Sequence, residues 1–357
     1  MTGRLYAELS YNEAAVKWYT KAAEQECPEA QYELGVCYEA GDGVGKDKAK
    51  AVELYRKAAE QGYAEAQNKL GVCYSNGTGV ARDDAQAVGW YRKAAENGNV
   101  KALYNLGEHY YCGLDENKAE AVKWYKKAAE QGNADAQNNL GVCYHNGEGV
   151  EKNSAKAVEW CRKSAENGNA SAQYKLGLFY ENGYGVAQNK KEAVKWYRKS
   201  AEQGYADAQY NLAELLPLYE YEEEKFKWYQ KAAKQGHAGA QNRLGLCYEV
   251  NKEMEMMEIN WDLGVEKDSA KAAEWYRKAA EQGLDLAQYN LGRCYEGGQG
   301  VTKDLTKAAE WYQKAADQGH EGAKKALKKL QGGDVGSAVA AGAALAATGL
   351  IWKILRG

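Results

Sequence analysis

The chain has 357 residues, 45% of them hydrophobic, enough for two or three ordinary domains or for one long repeat array. Its 47 basic and 50 acidic residues leave a formal net charge of −3, which excludes the Lys/Arg excess of a nucleic-acid-binding surface. Only two prolines occur, so long runs of helix are permitted, and 28 tyrosines and 10 tryptophans against two phenylalanines point to a core of alanine and polar-tipped aromatics.

The opening MTGRLYAELSYNE carries charges and no apolar run, so it does not read as a secretory signal, and a cytoplasmic location is expected. Residues 1–26 read as a partial repeat, with one helix over Tyr11–Glu26. From Cys27 to Gly319 the sequence repeats as eight units. Trp18, Trp90, Trp124, Trp160, Trp196, Trp228, Trp275 and Trp311 recur in W-Y-x-K-A-A or a near variant, and Leu54 fills the missing slot. A spacing of about 36 residues signals a solenoid, in which each unit buries its apolar face only against its neighbours.

Each unit reads as two helices. The first carries A-Q-x-x-L-G-x-C-Y, as in Ala136–Tyr144, with Ala136, Leu140, Cys143 and Tyr144 on one side. Its central glycine (Gly35, Gly71, Gly107, Gly141, Gly177, Gly245, Gly292) costs about 1 kcal/mol against alanine, so it is expected to admit a bulky neighbouring ring. A G-x-G-V loop follows at Gly41–Val44, Gly77–Val80, Gly147–Val150, Gly183–Val186 and Gly298–Val301, its valine expected to plug the core between the two helices. Asp47, Asp83, Asn117, Asn153, Asn189, Asp268 and Asp304 stand where a side chain caps the second helix. Gly62, Gly98, Gly132, Gly168, Gly204, Gly236, Gly283 and Gly319 close it.

Cys37, Cys73, Cys143, Cys247 and Cys294 share one slot of the first helix, which His109 and Phe179 fill in other units. A packing position tolerates that exchange and a metal ligand does not. Units one repeat apart lie about 10 Å from one another, beyond the reach of about 7 Å between the Cα atoms of a disulfide. No C-x-x-C or H-x-x-x-H spacing exists, so neither metal nor cofactor is expected.

Two units break the pattern. The sixth, NLAELLPLYEYEEEKFKWY, loses the glycine loop, and Pro217 should end its first helix early. The seventh gains VNKEMEMMEINWD, whose Met254, Met256, Met257 and Trp261 suit either an adaptable contact loop or a short packed helix. His320–Gln331 reads as a capping helix, and residues 332–357 form a Gly/Ala-rich apolar tail. Val335–Trp352, 18 residues without a charge, is near the lower length limit for a membrane segment that would run through Val335–Leu355, while its alanine and glycine give little hydrophobic drive. A soluble cover for the last unit and a disordered tail stand beside the membrane reading.

The pattern A-D-A-Q-x-x-L-G-x-x-Y-x-x-G-x-G-V-x-x-(D/N)-x-x-K-A-V-x-W-Y-x-K-A-A-E-Q-G, matched nearly throughout by Ala134–Gly168 and Ala170–Gly204, resembles the Sel-one-like repeat, related to the tetratricopeptide repeat. The resemblance implies an all-α, right-handed α/α superhelix acting as a scaffold or adaptor. One branch of the family pairs cysteines within each repeat as disulfides and has been linked to penicillin binding. This chain, with mostly one cysteine per unit and neither S-x-x-K nor K-T-G, departs from that branch.

No catalytic constellation emerges. His109, His145, His237 and His320 occupy different places in the period, and GDGVGK at Gly41–Lys46 lacks the strand and the G-K-(S/T) of a phosphate loop. A monomeric array with a protein or peptide partner and no enzyme activity is expected. Its contacts would lie on the concave face, along a row opposite the leucine (Tyr32, Asn68, Tyr104, Asn138, Tyr174, Tyr210, Asn242, Tyr289). A second row lies one turn on (Glu39, Ser75, Tyr111, His145, Glu181, Glu249, Glu296), and the insert would contribute Met254, Met256, Met257 and Trp261. A membrane-anchored assembly subunit, with an active tail and regulatory repeats, is the second reading.

Overall fold

The computed structural model describes residues 2–113, 117–217, 222–249 and 266–331. The insert with Met254, Met256, Met257 and Trp261, and the tail with Val335–Leu355, lie outside the described residues. Among the described residues there are helices and no strands. A single helix, α1 (Thr2–Ala23), precedes the pairs α2/α3 (Pro28–Ala40, Lys48–Glu60), α4/α5 (Ala64–Asn76, Asp84–Glu96), α6/α7 (Val100–Cys112, Lys118–Glu130) and α8/α9 (Ala134–Asn146, Ser154–Glu166). Then come α10/α11 (Ala170–Asn182, Lys190–Glu202), α12/α13 (Ala206–Leu215, Glu222–Lys234), α14/α15 (Ala238–Glu249, Ser269–Glu281) and α16/α17 (Asp285–Gly297, Leu305–Asp317), followed by α18 (Glu321–Gln331). Within each of the two units given below, consecutive helices pack on one another, the arrangement of an all-α repeat solenoid. α1 starts well before Tyr11, since no glycine or proline interrupts the chain between Arg4 and Ala23.

Two compact units can be drawn. One runs through Ala172 and includes Gly183–Ala187, and the other comprises Gln173–Asn182 and the chain from Gln188.

Local chemistry sets the helix ends. The carboxylate or amide of Asp47, Asp83, Asn117, Asn153, Asn189, Asp268 and Asp304 accepts a backbone N–H of the first turn of its helix. The same capping residues donate their own N–H to the carbonyl of the first-helix tyrosine, as from Asp83 to Tyr74 (3.0 Å), which fixes the hairpin. Asp268 donates to Tyr248 at 2.9 Å, so the seventh unit returns to the same anchor despite its insert. Gly62 takes φ +89°, donating to Ala59 while Tyr63 donates to Ala58, a double closure that only a left-handed residue allows. Pro217 ends α12 at Leu215, and the buried Lys225 ammonium donates to the freed Leu216 carbonyl at 2.7 Å.

Alanine, leucine and tyrosine fill the core. In α7, Ala121, Val122, Tyr125, Ala128 and Ala129 form a buried stripe, and α8 faces it with Ala136, Leu140 and Cys143. Val80, Val150 and Val301 are half-buried against cores shared by the preceding second helix and their own first helix. The valine therefore plugs the joint between repeats, not the space between the two helices of its own. A glutamine ladder ties the repeats. Gln67, Gln137, Gln209, Gln241 and Gln288 each donate to a carbonyl at the end of the preceding second helix, for example Gln67 to Ala59 at 3.0 Å. Each accepts in turn from the amide that ends its own unit's second helix, as Gln67 does from Asn97 at 2.9 Å.

Candidate functional site

The central glycine of the first helix explains itself in this structure. A Cβ on Gly35 or Gly71 would stand 2.6 Å from the ring of Tyr55 or Tyr91, and Gly107, Gly177, Gly245 and Gly292 meet Tyr125, Tyr197, Tyr276 and Tyr312 in the same way. At Gly141 the neighbour is Cys161. The glycine lets the ring lie across the backbone of the first helix, and this aims the phenol at the helix's far end.

There the hydroxyls find carboxylates. Tyr55 donates to Glu39 (2.8 Å), Tyr125 to Glu108 (2.5 Å), Tyr197 to Glu181 (2.5 Å), Tyr229 to Glu214 (2.8 Å), Tyr276 to Glu249 (2.5 Å) and Tyr312 to Glu296 (2.6 Å). Glu39, Glu181, Glu249 and Glu296 come four residues after the glycine slot, Glu108 and Glu214 one residue after it. Those two positions sit one above the other on a helix, so either delivers a carboxylate to the same place.

The first helix of the next unit completes the clasp. Lys69 reaches Glu39 at 2.8 Å, Asn139 reaches Glu108 at 2.7 Å, Arg243 grips Glu214 with two bonds of 2.8 Å, and Arg293 reaches Glu249 at 2.9 Å. Burial followed by the facing carboxylate pushes the Tyr55, Tyr125 and Tyr197 hydroxyls far above the ordinary phenol range. For Glu39 burial works upward, but the hydrogen bonds from Lys69 and Tyr55 outweigh it and hold the carboxyl below its usual pKa.

Two repeats depart. In the fourth, the tyrosine is Cys161 and the glutamate is His145, so both halves of the clasp change together. In the second, Tyr91 is present but the carboxylate positions hold Val72 and Ser75. A cavity of about 330 Å³ opens there, lined by Ser75, Tyr91, Asn105, Glu108 and His109 among others.

The row opposite the leucine is less open than the sequence suggests. Tyr104, Tyr174, Tyr210 and Tyr289 are half-buried, their rings 5.7–6.1 Å from the second-helix tyrosines Tyr125, Tyr197, Tyr229 and Tyr312. Tyr32 packs likewise on Tyr55 at 5.7 Å. Asn68 is half-buried and accepts from Asn105 at 2.8 Å; Asn242 is 2% exposed and accepts from Asn290 at 3.0 Å; Asn138 is 8% exposed. Neighbouring first helices pack closely enough that this row faces the next unit. Of the second row, Glu39, Glu181, Glu249 and Glu296 are clasp carboxylates, and Tyr111 bonds the loop residue Glu148.

The recurrent cysteines and two of the histidines have structural places. Cys73, Cys143, Cys247 and Cys294 are buried free thiols, which burial pushes up to about 11 or 12, while Cys37 is half-buried. His237 and His320 cap helices, their Nδ1 accepting from Ala240 at 3.1 Å and Ala323 at 3.0 Å. No group of three metal-ligating side chains occurs among the described residues, and no helix of the described residues is long and apolar enough to cross a membrane.

The Sel1 repeat model matches residues 11–27, 28–63, 64–99, 100–133, 134–169, 170–205, 206–224, 226–237, 238–250, 260–284 and 285–320. No curated protein matches significantly. Among solved structures, a protective antigen of uropathogenic Escherichia coli strains displaying an SLR fold is 40% identical, with a TM-score of 0.72 over 88% of this chain and 67% of that one. A Sel1 repeat protein from Oxalobacter formigenes is 32% identical, with a TM-score of 0.62 over 91% and 93%. Proteins of this kind generally mediate protein–protein interaction and are typically not enzymes. With its repeats matched from Tyr11 to His320 and consecutive helices packed within each of its two units, the chain belongs to the Sel1 repeat family.

Proposed function

We propose that the chain is an interaction scaffold or adaptor that holds a partner protein or peptide along the row of first helices, the face that a right-handed superhelix makes concave. The observation that carries this reading is the polar and aromatic lining repeated on that row. Tyr104, Tyr174, Tyr210 and Tyr289 are half-buried, Asn139 and Arg243 stand half-buried beside Tyr104 and Tyr210, and Arg293 stands exposed near Tyr289. Tyrosine gives contact area at low entropic cost, and amides and guanidinium groups hydrogen-bond an extended chain. Asn68, Asn138 and Asn242 occupy the same row in the other repeats. Met254, Met256, Met257 and Trp261 would widen the contact surface from the seventh repeat.

Affinity capture of the full-length chain from its own cells, followed by mass spectrometry, tests the proposal. A short, reproducible set of proteins is expected, lost when Tyr174 and Tyr210 are both replaced by alanine and retained when the chain stops at Gln331. Recovery that instead depends on the segment after Gln331 would transfer the function to the tail and leave the repeats as its regulator.

A further inference from the structure

The repeats serve as one another's controls. Where a second-helix tyrosine stands under a central glycine, its hydroxyl meets a carboxylate of the first helix in all cases but one among the described residues, and Tyr229 under Ala213 does the same. The exception is Tyr91. Its unit offers Val72 and Ser75 where the others place glutamate, and the Ser75 side chain lines the same cavity as the Tyr91 ring. The next unit's contribution is unchanged in kind. Asn105 occupies the slot of Asn139, the amide that together with Tyr125 cradles Glu108.

The second repeat thus keeps the tyrosine and the asparagine of a carboxylate cradle and has lost the carboxylate. The fourth repeat shows the other outcome, in which tyrosine and glutamate are both replaced. A glutamate shortened to serine leaves room, and the cavity of about 330 Å³ lies against Ser75, Tyr91 and Asn105. The lining acids are already engaged. Arg82 grips Asp84 through two bonds of 3.1 Å, and Glu108 is held by Tyr125 and Asn139. Arg82, paired with Asp84, and His109 lie at the rim.

We propose that this notch is a receptor seat for a carboxylate carried by a partner segment, taking the place that Glu39, Glu108 or Glu181 occupies in the neighbouring repeats. The Tyr91 hydroxyl donates to the incoming oxygens together with the second N–H of the Asn105 amide, whose first is given to Asn68 at 2.8 Å, and the Ser75 hydroxyl adds a third donor. The inference rests on the scaffold reading and narrows it, naming the chemistry that anchors the partner. A charge-assisted bond is roughly twice as strong as a neutral one, so an acidic anchor outcompetes its amide counterpart.

The test uses full-length protein labelled with ¹⁵N and follows the Asn105 side-chain amide while small capped amino acids are titrated to about 10 mM, the range suited to single-residue probes. Three probes are used: acetyl-Glu-amide for a side-chain carboxylate, acetyl-Gln with a free C-terminus for a terminal one, and acetyl-Gln-amide as the neutral control. Saturable shifts are expected with at least one acid, which names the source, and binding about tenfold weaker or more for the neutral probe. Ser75→Glu should fill the seat from within, abolish the response and leave the helical circular dichroism unchanged. Tyr91→Phe should weaken the acidic probe selectively. Equal response to the neutral probe, an unaltered response in Ser75→Glu, or no saturable shift with either acid overturns the proposal. Partner capture that proceeds equally with Ser75→Glu also overturns the seat while leaving the scaffold reading intact. Probe binding without any captured partner does the reverse.

Discussion

The second and third repeats differ by a few side chains and show what the Sel1 frame fixes and what it leaves open. Both place a tyrosine ring under a glycine, both cap the second helix with a short acceptor, and both receive an asparagine from the next unit. In the third, Glu108 closes the cradle with bonds of 2.5 and 2.7 Å. In the second, Ser75 leaves a cavity. The helices and caps are the same on both sides of the comparison, so the stack does not require the carboxylate in every unit.

The largest expected effect tests the shared part. Gly107→Ala forces a methyl group into the Tyr125 ring and should cost about 2 kcal/mol after its gain in helix propensity, with Gly71→Ala close behind; chemical denaturation measures both. Next, Glu108→Ala should cost about 1–2 kcal/mol because Tyr125 and Asn139 lose a common acceptor in a part-buried site. Ser75→Ala should cost less than about 0.5 kcal/mol, the usual scale for a change that breaks no cap, clasp or core contact. Asn117→Ala, which uncaps α7, should fall between them at about 1 kcal/mol. Equal costs at Glu108 and Ser75 would break the comparison.

The smallest effect concerns pH. The Glu39 carboxyl is held below its ordinary range, so its contribution is present above the unfolded carboxylate pKa and is lost as pH falls through the lowered value. Melting temperatures taken from about pH 6 to about pH 3 should therefore fall more steeply for the unaltered chain than for Glu39→Gln.

Much of the fold is local and could be read from sequence. The capping acceptors, the closing glycines and the stripe of alanine and tyrosine each act within one or two turns, and the helices start and stop where those residues stand. The clasp was harder to see. It joins residues on different helices, and its carboxylate comes from either of two positions one turn apart, so no single column of the repeat displays it. Aligning both positions against the second-helix tyrosine would have found it. The row opposite the leucine is less exposed than periodicity predicts, because the face a first helix presents depends on how closely the next one approaches, which periodicity within one helix does not encode.

The most direct measurement of the central claim, that tyrosine and carboxylate form a repeated clasp left open in the second repeat, is a double-mutant cycle with Ser75→Glu and Tyr91→Phe, read by equilibrium unfolding. The account predicts that Ser75→Glu stabilises the chain by about 1 kcal/mol and that Tyr91→Phe removes most of that gain. A glutamate at position 75 that adds no stability, or that adds the same amount beside phenylalanine, would contradict it.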